Sequence, residues 1–138
     1  MNDEQRDLAR RLAAHPRFEW RDGMAALEDP PSSNWQPGDR EWRIITGAPD
    51  LSAVTAEGDV HEAPYMPSTF ARAVPDLTDA ATGGVLLDML GAGRCVVRDR
   101  YLDGVGDEWT VGRGNHGGRG TTLAEACARA LLAEWGEA

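Results

Sequence analysis

The sequence predicts an α+β fold in which a small antiparallel sheet, made of a hairpin and one or two further strands, packs with two to three helices. Three observations predict it. Segments with helical spacing and capping residues lie near the beginning, in the second half and at the end of the 138 residues. Two strand-like segments joined by a short turn lie between the last two of them. The resulting order of elements, in which a hairpin and other strands alternate with helices, is typical of helices packed on an antiparallel sheet.

The first helix is predicted to begin after Asn2. The Asn2 side chain can cap the helix, and Gln5 three residues later completes a capping box. An apolar stripe follows at helical spacing, made of Leu8, Ala9, Leu12 and Ala13. Pro16 ends the helix after His15. The next segment, "RFEW" at 17–20, alternates aromatic and charged side chains, which predicts a short strand or an extended arm on the core.

Residues 30–75 are predicted to be a proline-rich, irregular segment within a single domain of residues 1–138. Seven of the eight prolines lie there, together with many turn-forming residues. One exception is "EWRIIT" at 41–46, whose alternation predicts a half-buried strand.

The segment "APYMPSTFARAVP", from Ala63 to Pro75, has two interpretations. It is either an extended segment that docks Tyr65, Met66 and Phe70 on the core, or a mobile loop that becomes ordered on a partner. The sequence leaves both open.

A second helix is predicted from about Asp79 to Leu90, with Asp79 or Thr78 as its cap. Four apolar side chains are expected to face inward: Val85, Leu86, Met89 and Leu90. Gly83 and Gly84 each weaken a helix by about 1 kcal/mol relative to alanine, which favours close packing as their reason. The glycines of "GAG" at 91–93 end the helix.

A hairpin is predicted from Arg94–Leu102 and Glu108–Arg113, joined by the turn "DGVGD" at 103–107. Strand periodicity places Cys95, Val97, Asp99 and Tyr101 on one face of the first strand and Trp109 and Val111 together on the second. The last helix follows Thr122, which forms a capping box with Glu125. Its apolar stripe consists of Leu123, Cys127, Ala130, Leu131 and Trp135.

The composition excludes several classes of function. All fourteen basic residues are arginine, which is typical of a GC-rich genome and excludes a P-loop lysine, a Schiff base and a lysine nucleophile. The net charge of -9 disfavours direct binding to nucleic acid. Because the acidic residues are dispersed, we interpret the charge as favouring solubility, and an acidic surface that mimics nucleic acid stays an alternative. The sequence contains neither a transmembrane segment nor a secretory signal, which predicts a cytoplasmic protein.

Neither metal nor cofactor is expected from the sequence. The histidines His15, His61 and His116 are scattered without the spacing of metal ligands. Cys95 and Cys127 lie in apolar stretches and are predicted to be reduced core residues. Neither cysteine has the electropositive setting of a nucleophile.

The stretch "GRGNHGGRGTT", from Gly112 to Thr122, has the GxGxxG spacing of a phosphate-binding loop. A dinucleotide-binding loop places its last glycine in the first turn of a helix and is followed by another strand. Here the helix is expected about five residues after Gly117, and the sequence ends at Ala138. The lysine of a Walker A loop is also missing. The stretch is therefore predicted to be a flexible connector between a strand and a helix.

A weaker binding hypothesis is kept for this connector. Exposed amides at the start of the last helix, with arginines nearby, can hold an anion such as a nucleotide. The candidate residues are Arg113, Asn115, His116 and Arg119. His116 becomes a candidate general base if Asp103 or Asp107 folds close to it.

Trp35 is a separate candidate for binding. It lies in the polar, turn-forming stretch "SSNWQPGD", where burial is not assured, and the chain has five tryptophans. Aromatic residues and arginine are enriched at interface hot spots. Trp35 is therefore either an anchor of its loop or part of a binding surface.

Three segments together resemble small proteins of phages and prophages. They are "PDLTDAATGGVLLDMLGAG" at 75–93, "EWTV" at 108–111 and "GTTLAEACARALLAEW" at 120–135. The stretch "LAAHPRFEW" at 12–20 is similar to the beginning of many such proteins. Among named groups the chain resembles the phage ABA sandwich domain family. The resemblance implies an origin in a mobile element and an α/β/α-type sandwich, and it brings no catalytic residues.

These observations predict a non-enzymatic accessory protein of a phage or prophage that binds a host or phage protein, with self-association as an option. Inhibition of a bacterial defence system is the sharpest form of this hypothesis. Two alternatives stay open. One is a small anion- or nucleotide-binding domain or enzyme that uses residues 112–122, and the other is a virion or assembly component. Neither direct nucleic-acid binding nor membrane binding is expected.

Overall fold

The computed structural model of the protein describes residues 1–29, 41–91, 93–100, 107–113 and 116–136. These residues form three α-helices, one short 3₁₀ helix and two antiparallel sheets of five and three strands. The predicted α+β class is confirmed, and the sheet content is larger than predicted. None of the described helices has the length and apolar composition needed to cross a bilayer.

Each helix begins beside a side chain that caps it. The bounds are α1 (Asp3–Ala14), α2 (Ala80–Leu90) and α3 (Leu123–Glu134). Asn2 and Gln5 form the predicted capping box of α1. The Thr82 N–H donates to Asp79 at the start of α2 over 2.8 Å, and Thr122 caps α3. These side chains satisfy amides that have no carbonyl partner within the helix.

The two glycines inside α2 differ in their surroundings. A Cβ on Gly83 would lie 3.1 Å from the Ala124 nitrogen and 3.2 Å from the Leu123 Cβ of α3. The predicted close packing is therefore confirmed for Gly83. A Cβ on Gly84 would meet no atom within 4 Å, so packing does not explain that glycine.

The first sheet has the strand order β4-β3-β2-β1-β5. The bounds are β1 (Ala25–Glu28), β2 (Glu41–Thr46), β3 (Ser52–Thr55), β4 (Val60–Glu62) and β5 (Ala73–Pro75). The strand predicted at 41–46 is confirmed, with Trp42 and Ile44 buried. Outside this strand, the sparse regular structure predicted for 30–75 is wrong over the described residues 47–75, which contain β3, β4, β5 and a 3₁₀ helix. The other strands have only three or four residues, so their alternation is too short to be distinguished in the sequence.

The second sheet has the order β6-β7-β8, with β6 (Cys95–Arg100), β7 (Asp107–Arg113) and β8 (His116–Gly120). β6 and β7 pair antiparallel, as the predicted hairpin requires. The predicted turn lies outside the described residues except for Asp107. The flexible connector predicted at 112–122 is wrong for residues 116–120, because they form β8 and pair with β7.

One hydrophobic cluster joins the two sheets and the three helices. α3 lies at its centre, since it packs on β7, β8, α1 and α2. Leu86 and Leu90 of α2 are buried as predicted, whereas Val85 and Met89 are half-buried. The extended arm, rather than a strand, is found at 17–20, where Phe18 and Trp20 pack against the core.

The outer face of the three-stranded sheet is exposed in the described residues. Cys95 and Val97 lie on it, so the prediction that Cys95 is a core residue is wrong, while Cys127 is buried as predicted. The physical reason is that α3 covers only the opposite face, which carries Val111. The described helices therefore do not cover both faces of this sheet, as they would in an α/β/α sandwich.

The 3₁₀ helix Ser68–Arg72 anchors the segment that precedes β5. Phe70 is buried against Trp20 and Trp42, and Met66 is half-buried, which agrees with docking on the core. Docking of Tyr65 is wrong, because 85% of this side chain is exposed in the turn that follows β4.

Candidate functional site

The glycines of β8 allow this strand to lie directly against α3. A Cβ on Gly118 would lie 2.2 Å from the Ala126 carbonyl oxygen and 2.6 Å from the Ala130 nitrogen. A Cβ on Gly120 would lie 2.7 Å from the Glu125 Cβ. Only glycine leaves room for a backbone at these distances. The glycine-rich stretch therefore serves packing between a strand and a helix.

A carboxylate of the chain itself occupies the start of α3, the place predicted for a bound anion. Glu125 Oε2 accepts hydrogen bonds from the Thr121 N–H at 3.1 Å, the Thr121 hydroxyl at 2.9 Å and Gln5 Nε2 at 3.1 Å. Arg129 Nη1 donates to Oε1 at 2.6 Å. Burial opposes the ionisation of Glu125, but the hydrogen bonds from Gln5, Thr121 and Arg129 hold its pKa below the ordinary value. This arrangement disfavours an external anion at the same amide.

Three of the five candidate binding residues lie on the paired strands β7 and β8. Trp35 and Asn115 are outside the described residues. Arg113 and His116 are opposite each other where β7 and β8 meet. Arg119 is exposed, and its Nε lies 3.9 Å from a Glu108 carboxylate oxygen. The structure therefore brings Arg113, His116 and Arg119 onto two neighbouring strands.

The register of the second sheet separates His116 from Asp107. His116 pairs with Arg113 at one end of the seven-residue strand β7, and Asp107 is at the other end. At about 3.4 Å per residue the two positions are about 20 Å apart. The idea that Asp107 assists His116 as a general base is therefore wrong, and Asp103 lies outside the described residues.

A groove crosses the outward face of the five-stranded sheet. Its volume is about 360 Å³, and its lining includes Leu27, Glu41, Arg43, Val54, Asp76 and Asp79. Arg43 pairs with Val54, and Val54 with Val60, so these three side chains share the outward face. The buried Trp42 and Ile44 belong to the opposite face. We define the groove together with Val60 and the β3–β4 turn, residues 56–59, as the groove surface.

An ion pair between Arg43 and Asp79 forms one wall of this groove. Arg43 Nη1 and Nη2 donate to the two Asp79 carboxylate oxygens at 2.7 and 3.0 Å, and Nη1 also donates to the Gly23 carbonyl at 2.9 Å. The hydrogen bond from Arg43 lowers the pKa of Asp79, and those from Thr82 add to the effect. Asp79 is therefore committed to capping and pairing, which makes it a poor general base.

Apolar side chains are exposed on the five-stranded sheet and in the turn that follows β4. Val60 on the edge strand β4 is 54% exposed, and Ile45 on β2 is 46% exposed. Tyr65 follows β4 in a turn in which its N–H donates to the Glu62 carbonyl at 2.7 Å. Val60 lies on the edge strand and Ile45 on the central strand of this sheet, and exposed apolar side chains of this kind favour contact with another protein.

The sequence did not reveal the groove, because its walls come from distant parts of the chain. Asp79 is one of the two residues predicted to cap the second helix, but its pairing with Arg43 bridges 36 residues. The alternation of apolar and polar side chains at 41–46 predicts that Arg43 faces outward, and this is the feature of the groove that the sequence indicates. The described part of the chain contains no group of three His, Cys, Asp or Glu side chains arranged for a metal ion.

Comparisons of this chain with protein-family models, with curated proteins and with solved structures found no match.

Proposed function

We propose that this chain is a phage- or prophage-encoded accessory protein without catalytic function, which acts by binding another protein in the host cytoplasm. In its sharpest form, the proposal is that the bound protein belongs to a bacterial defence system and is inhibited. The origin in a phage or prophage is supported by the resemblance of segments 75–93, 108–111 and 120–135 to proteins of such elements.

The exposure of Tyr65 is the observation that carries protein binding. Tyr65, in the turn that follows β4, is 85% exposed, and Val60, at the other end of β4, is 54% exposed, so aromatic and aliphatic surface is left in water. Removing such surface from water on association contributes about 25 cal/mol per Å² of apolar area before ordering costs. Tyrosine is also enriched among the residues that dominate binding energy.

The nucleotide- or anion-binding alternative gains no support from the described geometry. Gly118 and Gly120 are packed under α3, and Glu125 takes the amide of Thr121. We therefore favour protein binding over a phosphate site at residues 112–122.

The proposal is tested by capture from extracts of a GC-rich bacterial host with and without phage infection. The immobilised full chain is compared with Val60→Asp and Tyr65→Ala. We expect a captured protein to be reduced at least fivefold by either change, because removal of a hot-spot side chain costs about 1–2 kcal/mol or more.

Val97→Asp is the matched control, since Val97 is 48% exposed on the other sheet, close to the 54% of Val60. It should leave capture unchanged. If no captured protein depends on Val60 or Tyr65, the proposed binding surface is wrong. Co-purification with assembled particles, with no host protein captured, would instead favour the virion component.

A further inference from the structure

The charges around the groove surface are one-sided. The chain carries no arginine or lysine between Arg43 and Arg72. Glu41, Glu57 and Asp59 are exposed, and none of them makes an ion pair within the part of the chain that the structure describes. Among the described residues these carboxylates therefore leave a negative potential at the groove and at the turn beside it.

Arg43 does not offset this potential. Its two terminal nitrogens are bound to the Asp79 carboxylate, so the pair is close to neutral. Asp76 also lines the groove, where its Oδ1 accepts from the Thr78 N–H and hydroxyl. An anion in the groove would meet Glu41 and Asp76 in its lining and Glu57 and Asp59 in the adjoining turn, whereas a cation would be attracted by them.

The floor of the groove has a different character. Val54 and Ala56 line it, and Val60 continues the apolar strip toward the sheet edge on the same face. Within the described residues β4 pairs with β3 only, so no strand pairs with its other edge. The groove thus combines an apolar floor with an acidic rim. An extended segment fits both when its side chains are alternately aliphatic and basic, because successive side chains of an extended chain point to opposite faces.

We propose that the groove surface binds an extended segment of the partner protein that carries arginine or lysine side chains. This inference rests on the proposed function and adds the chemistry of the partner. The charged ends of the basic side chains lie against Glu41, Glu57 and Asp59. Their aliphatic stems cover Val54 and Val60, as long basic side chains do on apolar surfaces.

The probe is a fluorescein-labelled heptapeptide of alternating arginine and valine, titrated against the full chain. Amide shifts of the ¹⁵N-labelled protein should concentrate at residues 25–27, 41–43 and 54–60. Glu41→Gln combined with Glu57→Gln should weaken binding about five- to tenfold. Raising the salt from about 20 to about 300 mM should also weaken it, since screening shortens the range of the attraction.

The matched control is Asp3→Asn combined with Asp7→Asn, which makes the same charge change on exposed positions of α1. It should change the affinity less than twofold. Equal weakening by both double variants, shifts outside the groove surface, or equal binding of a glutamate–valine heptapeptide would each overturn the inference.

The result also separates the inference from the proposed function. If a captured protein depends on Val60 but not on Glu41, Glu57 or salt, only the basic character of the partner is wrong. If the heptapeptide binds as expected but no protein is captured through Val60, the groove chemistry holds and the proposed function fails.

Discussion

Gly118 and Gly84 show at residue scale how the same amino acid serves different purposes. Gly118→Ala should destabilise the protein by about 3 kcal/mol, because overpacking of a close contact costs about 1–3 kcal/mol and here the neighbours are rigid backbone. The new Cβ would lie 2.2 Å from the Ala126 carbonyl oxygen. Urea unfolding followed by circular dichroism measures the change in free energy.

Gly84→Ala is the control at an open helical position. A Cβ there meets no atom within 4 Å, so the better helix propensity of alanine should stabilise the protein by about 0.5–1 kcal/mol. A Gly118→Ala variant as stable as the wild type would contradict the packing of β8 against α3.

Burial of single side chains was harder to predict than their periodicity. Cys95 and Val97 share one face of β6, as strand periodicity predicts. Which face α3 covers depends on Gly118 and Gly120 in a strand that the sequence did not predict. The exposure of Cys95 depends on how α3 packs on the sheet, and the hairpin alone does not predict that packing.

At the scale of elements, Asp79 connects α2 to β2. It caps α2 through Thr82 and accepts two hydrogen bonds from Arg43. We expect Asp79→Ala to lower the free energy of unfolding by about 1–2 kcal/mol near neutral pH, because a cap contributes about 1 kcal/mol and a largely exposed ion pair less. Urea unfolding at pH 6.5 and 2.5 measures it.

The dependence on pH follows from the direction of the pKa shift. The pKa of Asp79 is lowered in the folded state, so its stabilising effect is complete above the ordinary value of about 3.9 and is lost as the pH falls through the lower folded value. The difference between wild type and Asp79→Ala should shrink at pH 2.5. Asp79→Asn, which keeps a capping side chain, should lose less stability at pH 6.5. A difference independent of pH would contradict the role of the ion pair.

The helices were the elements that the sequence predicted well. Asn2 with Gln5, and Thr122 with its helix, act across three residues, so the signal is local. The strands β1, β3, β4 and β5 have no comparable local signal. They are short, and β1 and β5 pair with each other from distant parts of the chain, as Ala26 with Pro75.

At the scale of the whole molecule, the two cysteines report on cooperative unfolding. Cys95 is exposed, and Cys127 is fully buried in the cluster shared by both sheets, where burial raises its pKa to about 12. A thiol-reactive dye should label Cys95 at once in the native protein. Cys127 should be labelled only as the molecule unfolds, in a transition that coincides with the loss of circular dichroism.

Cys95→Ser is the control and should abolish labelling of the native protein without slowing that of Cys127 in denaturant. Fast labelling of Cys127 before the loss of circular dichroism would contradict one shared core. Two separate transitions would likewise show that the sheets unfold independently.

The candidate site belongs to this largest scale. The sequence indicated Arg43 on the outward face of a strand and Asp79 as a cap, but only the fold brings them to one groove. The acidic character of the chain was visible in its composition. The turn between β3 and β4 brings Glu57 and Asp59 to the same groove surface as Glu41. Acidic residues that are dispersed in the sequence therefore give this surface a negative charge.

The sequence by itself determined the α+β class, the three helices with their caps, the hairpin strands and the strand at 41–46. These features depend on hydrogen bonds and periodicities within a few residues. The tertiary structure alone decided that residues 116–120 form a strand, that short segments assemble a five-stranded sheet, and that Cys95 and Tyr65 face solvent. Those outcomes depend on which distant backbone can approach closely enough to pair and pack, as Gly118 does beneath α3.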